Sequence, residues 1–145
     1  GIDPTRLVFE LTETAALADV NAAERLMKEL QAIGCRFALD DFGVGFSSFY
    51  YLRELPLDIV KIDGSFIRQL PTNSMDQVFV KALTEMATAL GKDTVAEFVE
   101  DEATLTQLKE IGVIYAQGYY IGRPSPEIPV KSLPIQKRQI ETLQS

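Results

Sequence analysis

Five short apolar runs, each closed by a polar residue, restrict the fold of this chain more than any other feature. The closing residues recur at intervals of about 27 residues, and the segments between them carry apolar residues at the spacing of amphipathic helices. This alternation predicts parallel βα units with polar side chains at the carboxyl ends of the strands. The closing residues are Glu10, Asp40, Lys61, Glu97 and Gln117.

The same pattern places the individual elements. Apolar runs predict strands at residues 7–9, 37–39, 57–63, 94–99 and 115–116. Helical spacing predicts helices over residues 21–33, 48–55, 76–90 and 101–111, with a short helix at 136–143. Asn21 with Glu24 resembles a capping box, and Asp76 and Asp101 are expected to be the N-caps of their helices.

The number of units bounds the architecture. Eight βα units make a barrel of roughly 200–250 residues, whereas this chain has 145 residues and five units. An open Rossmann-like sheet could also hold five units, but the glycine-rich fingerprint after its first strand is absent from the sequence. The predicted fold is therefore α/β, an incomplete TIM-like (β/α)8 barrel with about five βα units over residues 1–126, followed by a tail over residues 127–145.

The composition excludes several kinds of site. The chain has no histidine, which removes histidine general bases, Ser-His triads and the usual zinc sites. Cys35 is the only cysteine, so a reducing cytoplasm is the expected location. The net charge of −7 argues against a nucleic-acid polymer as partner. No signal peptide and no apolar stretch of roughly 20 residues are found, although the parent protein could be membrane-anchored.

Carboxylates dominate the predicted strand ends. Glu10, Asp40 and Glu97 close three strands, and Lys61 and Asp63, two residues apart, are expected to face the same way. Any one of these charges is as well explained by a solvated loop or a helix cap. Their recurrence on successive strands, without histidine, favours a site for a hard cation such as Mg²⁺ or Mn²⁺.

Several short motifs, taken together and in order, resemble the EAL domain family. Any one of these strings would be weak evidence, whereas the ordered set is specific. The resemblance runs from about residue 7 to residue 126. The motifs are ELTE from Glu10, DDFGVG from Asp40, KID from Lys61, AEFVE from Ala96, QGY from Gln117 and GRP from Gly122.

The resemblance implies a modified eight-stranded barrel that opens the ring of cyclic di-GMP to give linear pGpG. It implies two metal ions, Mg²⁺ or Mn²⁺, with Asp40 shared between them. The implied catalytic residues are Glu97, Lys61 and Asp63, of which Lys61 would contact the attacking water and Asp63 is its acidic neighbour. Whether Glu97 acts as a general base or mainly as a metal ligand stays open. The implied metal ligands are Glu10, Asp40, Asp41 and Glu97.

The resemblance also assigns residues around the metal site. Gln117 matches a position near the reacting phosphate, and Arg123 is a further substrate-binding candidate. Glu13 matches a residue that steadies the loop after Asp41, a loop that in the family contributes to dimerisation. Gly43 and Gly45 belong to this loop, where they are equally natural as simple turn residues.

One departure from the family concerns its first strands. The Glu-Ala-Leu tripeptide and an early metal-binding asparagine do not occur in this sequence. We therefore expect the chain to be the C-terminal part of an EAL domain, lacking roughly 100 residues on the usual barrel size. Alone it is expected to be weak or inactive, and either partly unfolded or paired with the missing barrel segment or with a second copy as a homodimer.

The expected partners and rival functions follow from the same resemblance. Cyclic di-GMP is the expected ligand, and the parent is expected to be multidomain, with a sensory or GGDEF module. A non-catalytic cyclic di-GMP receptor is the main alternative to a phosphodiesterase. A different metal-dependent barrel, or an interaction scaffold that binds no nucleotide, is a third reading.

Overall fold

The strands form one parallel sheet in the order of the sequence. The computed structural model describes residues 1–45 and 48–126, so the helix predicted at residues 136–143 lies outside the described residues. Each strand pairs with the next in parallel register. The strands are β1 Val8–Thr12, β2 Arg36–Phe42, β3 Ile59–Ile62, β4 Asp93–Ala96 and β5 Tyr115–Ala116.

Helices follow four of the five strands, and 3₁₀ turns complete the connections. Two turns are described, at Pro4–Arg6 and Gly64–Phe66. The short helix α1 was not expected from the sequence, because its six residues are too few to show a helical repeat. The α-helices are α1 Glu13–Ala18, α2 Val20–Ala32, α3 Ser48–Glu54, α4 Ser74–Ala89 and α5 Glu102–Ile111.

The strand order distinguishes a barrel from an open doubly wound sheet. A Rossmann-like sheet reverses its strand order at a switch point, whereas here the order β1-β2-β3-β4-β5 runs without reversal. In the part of the chain that the structure describes, β1 and β5 each have a single neighbouring strand. The fold is that of five consecutive units of a TIM-like barrel, which confirms the predicted class.

The core lies between the sheet and its helices. All four residues of β3 are buried, since this central strand is covered on both faces. On α4 the buried side chains are Val80, Leu83, Thr84 and Ala87, while Leu90 remains 41% exposed. The fully buried large side chains that β2 and β3 contribute to this core are Phe37, Leu39, Phe42, Val60 and Ile62.

Two of the three expected helix caps were wrong. The N-cap of α2 is Asp19, whose Oδ1 accepts a hydrogen bond from the Ala22 amide, so Asn21 lies inside the helix. The N-cap of α4 is Asn73, and Asp76 lies in the first turn. Asp101 caps α5 as predicted, and its carboxylate accepts a bond from the Thr104 amide at 2.7 Å. In both corrected cases a side chain two or three residues upstream captures the first amides of the helix.

A polar network closes the amino-terminal edge of the sheet, opposite the carboxylate cluster. Asp58 Oδ2 accepts hydrogen bonds from the Phe37 amide and from Gln31 Nε2. The buried ammonium group of Lys92 donates to the carbonyl oxygens of Leu55 and Leu57. Across the described residues no helix is both long and apolar enough to cross a bilayer.

Candidate active site and metal centre

The side chain of Lys61 lies among three carboxylates at the carboxyl-terminal edge of the sheet. Its Nζ atom lies 2.9 Å from Glu10 Oε1, 3.1 Å from Glu97 Oε1 and 3.7 Å from Asp40 Oδ1. The Lys61 side chain is 8% exposed and that of Glu97 is 12% exposed, whereas Glu10 is half exposed. Strand β3 thus delivers one cation to acidic residues from β1, β2 and the end of β4.

Three carboxylates of the edge lie close enough together to share a cation. One oxygen each of Asp40, Asp41 and Glu97 lies within 4.8 Å of the other two. Hard divalent ions bind carboxylate oxygens at about 2.0–2.6 Å, so oxygens at this separation can ligate one ion. An all-oxygen donor set therefore fits Mg²⁺ or Mn²⁺. Within the described residues Glu10 is not part of this group of three, and its carboxylate instead bonds Lys61.

The two aspartates lie where the chain turns locally inside β2, since its pairing with β3 shifts register between Leu39 and Phe42. Asp41 has a left-handed backbone with φ of +57°, a conformation in which aspartate is more common than most residues. The Asp40 carboxylate accepts a hydrogen bond from the Asp41 amide at 3.0 Å. The next residue, Phe42, is fully buried and anchors the turn in the core.

Burial and like charges shift the pKa values of this cluster. Burial raises the pKa of Glu97, and the charges of Asp40 and Asp41 add to the rise while Lys61 opposes it. The pKa of Asp41 is raised by desolvation and then by the neighbouring charges of Asp40 and Asp63. Desolvation lowers the pKa of Lys61, but its hydrogen bonds to carboxylates outweigh that effect and the pKa is raised. The cluster therefore favours added positive charge.

Two clefts open on either side of the carboxylates. The first, of about 500 Å³, is lined by Asp41 and Asp63 together with Thr12, Glu13, Thr14, Leu17, Val44 and Gly45. The second, of about 230 Å³, is lined by Glu97 and Gln117 together with Arg68, Phe98, Glu100, Gly118 and Tyr119. Since one carboxylate of the group of three faces each cleft, a ligand on the group can extend into both.

Comparison with known proteins decides the family. Residues 1–124 match the model of the EAL domain. The chain belongs to the EAL domain family. This agrees with the resemblance read from the motifs.

Relatives and solved structures extend the comparison. The EAL chain is 48% identical over 118 residues to the cyclic di-GMP phosphodiesterase PdeB of Shewanella oneidensis, covering 81% of this chain and 14% of PdeB. The phosphodiesterase PaMucR, solved as a c-di-GMP complex, superimposes with a TM-score of 0.80 at 38% identity, covering 86% of this chain and 51% of that one. The manganese/cy-diGMP complex of Klebsiella pneumoniae BlrP1 gives a TM-score of 0.80 at 29% identity, with 86% and 32% covered. The chain thus spans about half or less of the proteins it matches.

In the EAL chain, Glu13 and two phenylalanine rings lie close to the glycines of the loop after Asp41. A Cβ atom added at Gly45 would lie 2.6 Å from Glu13 Oε1, so the Glu13 carboxylate is directly against this glycine. Gly43 has φ of +108° and lies against the rings of Phe66 and Phe79, which stack at 4.3 Å. At Gly43 both the neighbouring rings and the backbone conformation favour glycine, whereas at Gly45 the close atoms are the end of the flexible Glu13 side chain.

Asp63 and Arg123 lie outside the group of three carboxylates formed by Asp40, Asp41 and Glu97. Asp63 follows β3 and caps the 3₁₀ turn, since its Oδ1 accepts a bond from the Ser65 amide at 2.8 Å. Its carboxylate lines the first cleft near Asp41 rather than contacting Lys61. The Arg123 guanidinium lies 4.8 Å from the ring centroid of Tyr119 and lines neither of the two clefts. Gln117 lines the second cleft together with Glu97.

Sequence reasoning missed two neighbours of Glu97. Phe98 has a left-handed backbone with φ of +58°, and the Arg68 guanidinium lies 4.4 Å from its ring centroid. Both residues line the second cleft of the EAL site. The phenylalanine inside the AEFVE motif was visible in the sequence, but no periodicity pointed to its partner thirty residues upstream.

Proposed function

We propose that this EAL chain carries most of the metal and catalytic residues of a phosphodiesterase that hydrolyses cyclic di-GMP to linear pGpG. The observation that supports this most is the convergence of Asp40, Asp41 and Glu97 around one edge of the sheet, with Lys61 beside them. PdeB and PaMucR are named as phosphodiesterases, and PaMucR was solved with c-di-GMP. The chemistry and the relatives therefore support the same reaction.

The residues have distinct proposed roles. Asp40, Asp41 and Glu97, with Glu10, would hold two divalent cations, with Asp40 shared. Mg²⁺ or Mn²⁺ bound here would polarise the phosphate and lower the pKa of a bound water. Lys61 would orient that water, because its ammonium group is already fixed by hydrogen bonds to carboxylates on either side.

The residues around the metal group would bind the substrate. Gln117, on the wall of the second cleft, is proposed to contact the reacting phosphate. Arg123 is proposed to bind substrate at the margin, and this would require it to leave the Tyr119 ring. Asp63 and Glu13, with Gly43 and Gly45, would hold the loops that border the first cleft.

The proposed protein is larger than this chain. The match covers 51% of the solved PaMucR chain and 32% of the BlrP1 chain. One relative, MucR of Pseudomonas aeruginosa, is named a bifunctional diguanylate cyclase/cyclic di-GMP phosphodiesterase. We propose a cytoplasmic EAL barrel completed by preceding strands, within a parent that also carries a sensory or GGDEF module. A homodimer formed through the loop after Asp41 remains part of this proposal.

Cyclic di-GMP turnover by the whole protein that carries this chain tests the function. The assay follows pGpG in Mg²⁺, in Mn²⁺ and after chelation. Glu97→Gln should abolish turnover, while Glu102→Gln should leave it unchanged, because Glu102 lies in the first turn of α5 and lines neither cleft. Full turnover in the chelated protein, or in Glu97→Gln, would refute the proposal.

A further inference from the structure

Phe98 adopts a backbone conformation that its own side chain disfavours. Its φ of +58° lies in the left-handed region, which a bulky residue other than glycine rarely occupies. The residue directly follows Glu97, and β4 has already ended at Ala96. The left-handed backbone of Phe98 therefore sets the direction of the chain beyond β4, and with it the direction of the Glu97 side chain. Strained conformations persist where surrounding contacts determine them.

The contacts that hold Phe98 come from the turn after β3. A Cβ atom added at Gly64 would lie 2.1 Å from Phe98 Cδ2, so only glycine permits this approach of the ring. The Arg68 guanidinium lies over the same ring, 4.4 Å from its centroid. The Arg68 amide in turn donates a hydrogen bond to the Gly64 carbonyl at 3.0 Å. Gly64 and Arg68 thus belong to one turn that contacts one ring.

The backbone on either side of Phe98 is hydrogen-bonded to neighbouring strands. The Glu97 amide donates to Ile62 O at 3.4 Å, and the Val99 amide donates to Gln117 O at 3.0 Å. The first of these bonds is long, which makes Glu97 more dependent on the packing of the next residue. Val99 itself is fully buried.

We propose that Gly64 and Arg68 are positioning residues that hold the Phe98 ring and thereby fix the carboxylate of Glu97 beside Lys61 and Asp40. Only the metal-binding and catalytic role of Glu97 in this inference rests on the proposed function. Arg68 acts through Phe98 and not on the substrate. Cation–π contacts at exposed sites are weak, so the effect of losing one is modest and measurable.

The variants separate the ring contact from a general loss of charge. Arg68→Met removes the guanidinium and keeps an unbranched side chain, and Arg68→Lys restores a cation. Arg53→Met is the matched control, since Arg53 also lies over an aromatic ring, that of Tyr50 at 5.7 Å, but on α3 rather than in the turn after β3. Phe98→Leu removes the ring and completes a double-mutant cycle with Arg68→Met.

Three readouts are measured on the whole protein that carries this chain. Hydrogen exchange at the Val99 and Gln117 amides reports the turn without any metal. Mn²⁺ affinity, measured from the electron paramagnetic resonance signal of the unbound ion, reports whether the carboxylates are still placed to bind the metal. The kcat and KM for cyclic di-GMP separate positioning from substrate contact.

Arg68→Met should speed exchange at Val99 and weaken Mn²⁺ binding by about 3-fold each, and should lower kcat with little change in KM. Arg68→Lys should recover most of each effect. Arg53→Met should change none of them, and adding Arg68→Met to Phe98→Leu should have no further effect.

Equal exchange and Mn²⁺ affinity in Arg68→Met and Arg53→Met would overturn the inference. A change in KM alone, without faster exchange, would make Arg68 a substrate contact and would overturn it too. If the unaltered protein binds no Mn²⁺, the proposed function fails, and the exchange data still decide whether Arg68 holds the turn.

Discussion

At the scale of single residues, Lys61 is the group on which the carboxylate cluster depends. Its ammonium group faces Glu10, Asp40 and Glu97 and is nearly inaccessible to solvent. Removing one member of a buried ion pair leaves the other charge uncompensated, which commonly costs about 3–5 kcal/mol. The cation of Lys61 therefore stabilises the fold as well as serving the proposed chemistry.

Lys61→Met should lower the free energy of unfolding by roughly 3 kcal/mol at pH 8 in metal-free buffer. The loss should be smaller at pH 5, because burial raises the pKa of Glu97 and protonation of this carboxyl then relieves the repulsion. Urea unfolding at both pH values checks this, with the exposed Lys81→Met as control. Adding Glu97→Gln should recover part of the stability. Equal losses at both pH values would contradict the explanation.

Lys92, at the amino-terminal edge of the sheet, should make the free energy of unfolding depend on pH. Burial lowers the pKa of Lys92 below the ordinary lysine value of about 10.4, and Asp58 only partly opposes this. Between the folded and unfolded pKa values the unfolded chain binds more protons, so stability should rise with pH up to about 10.5. Lys92→Gln should flatten this rise in urea unfolding measured between pH 7 and pH 10. An unchanged slope in the variant would show that another group causes it.

Among single residues, the sequence predicts the acidic strand ends but not the side-chain pairing or the backbone of Phe98. The acidic residues at the strand ends were predictable, because parallel strands bring their carboxyl ends to one edge. The pairing of Glu10 with Lys61, outside the group of three, was not, because it depends on distances between side chains rather than on spacing. The backbone of Phe98 was equally hidden, since tertiary contacts impose it against its own preference.

At the scale of elements, the N-cap of α4 differs between the sequence prediction and the structure. Asn73 Oδ1 accepts hydrogen bonds from the Met75 and Asp76 amides, whereas the sequence suggested Asp76 itself as the cap. Asn73→Ala should therefore lower the unfolding free energy by about 1 kcal/mol. Asp76→Ala should lower it less, because Asp76 contributes only a first-turn charge. Thermal melts of both variants check the ranking, and the reverse order would restore the sequence assignment.

Elements were predicted well where the hydrophobic pattern was long and poorly where caps or short turns set the boundary. The bounds of α2, α4 and α5 lie within two residues of those predicted from the apolar repeat, whereas α1 is too short to show one. On α2 the buried side chain is Met27, and Leu26 and Ile33 of the predicted apolar stripe are exposed. Strand β4 ends at Ala96 rather than at residue 99, because the left-handed Phe98 turns the chain out of the sheet. Periodicity cannot reveal such an interruption.

At the scale of the whole molecule, the two ends of the described sheet determine behaviour in solution. On β1, Val8 and Phe9 are 44% and 41% exposed, large fractions for apolar strand residues. Exposed strand edges with apolar side chains invite pairing. We therefore expect the isolated 145-residue chain to associate or to unfold partly, and to become monomeric and cooperative when preceding barrel strands are supplied. Sedimentation together with thermal unfolding checks this, and a cooperatively folded monomer of the isolated chain would contradict it.

The proposed function requires the carboxylate cluster to make the whole protein an enzyme and not a receptor. The most direct test is a single-turnover experiment in which the whole protein, in excess and freed of metal, binds labelled cyclic di-GMP before Mn²⁺ is added. We expect bound nucleotide to stay intact until the metal is added and then to become pGpG, and we expect Glu97→Gln to prevent the conversion. Recovery of intact cyclic di-GMP from the unaltered protein after Mn²⁺ addition would refute the proposed hydrolysis and identify a binding domain.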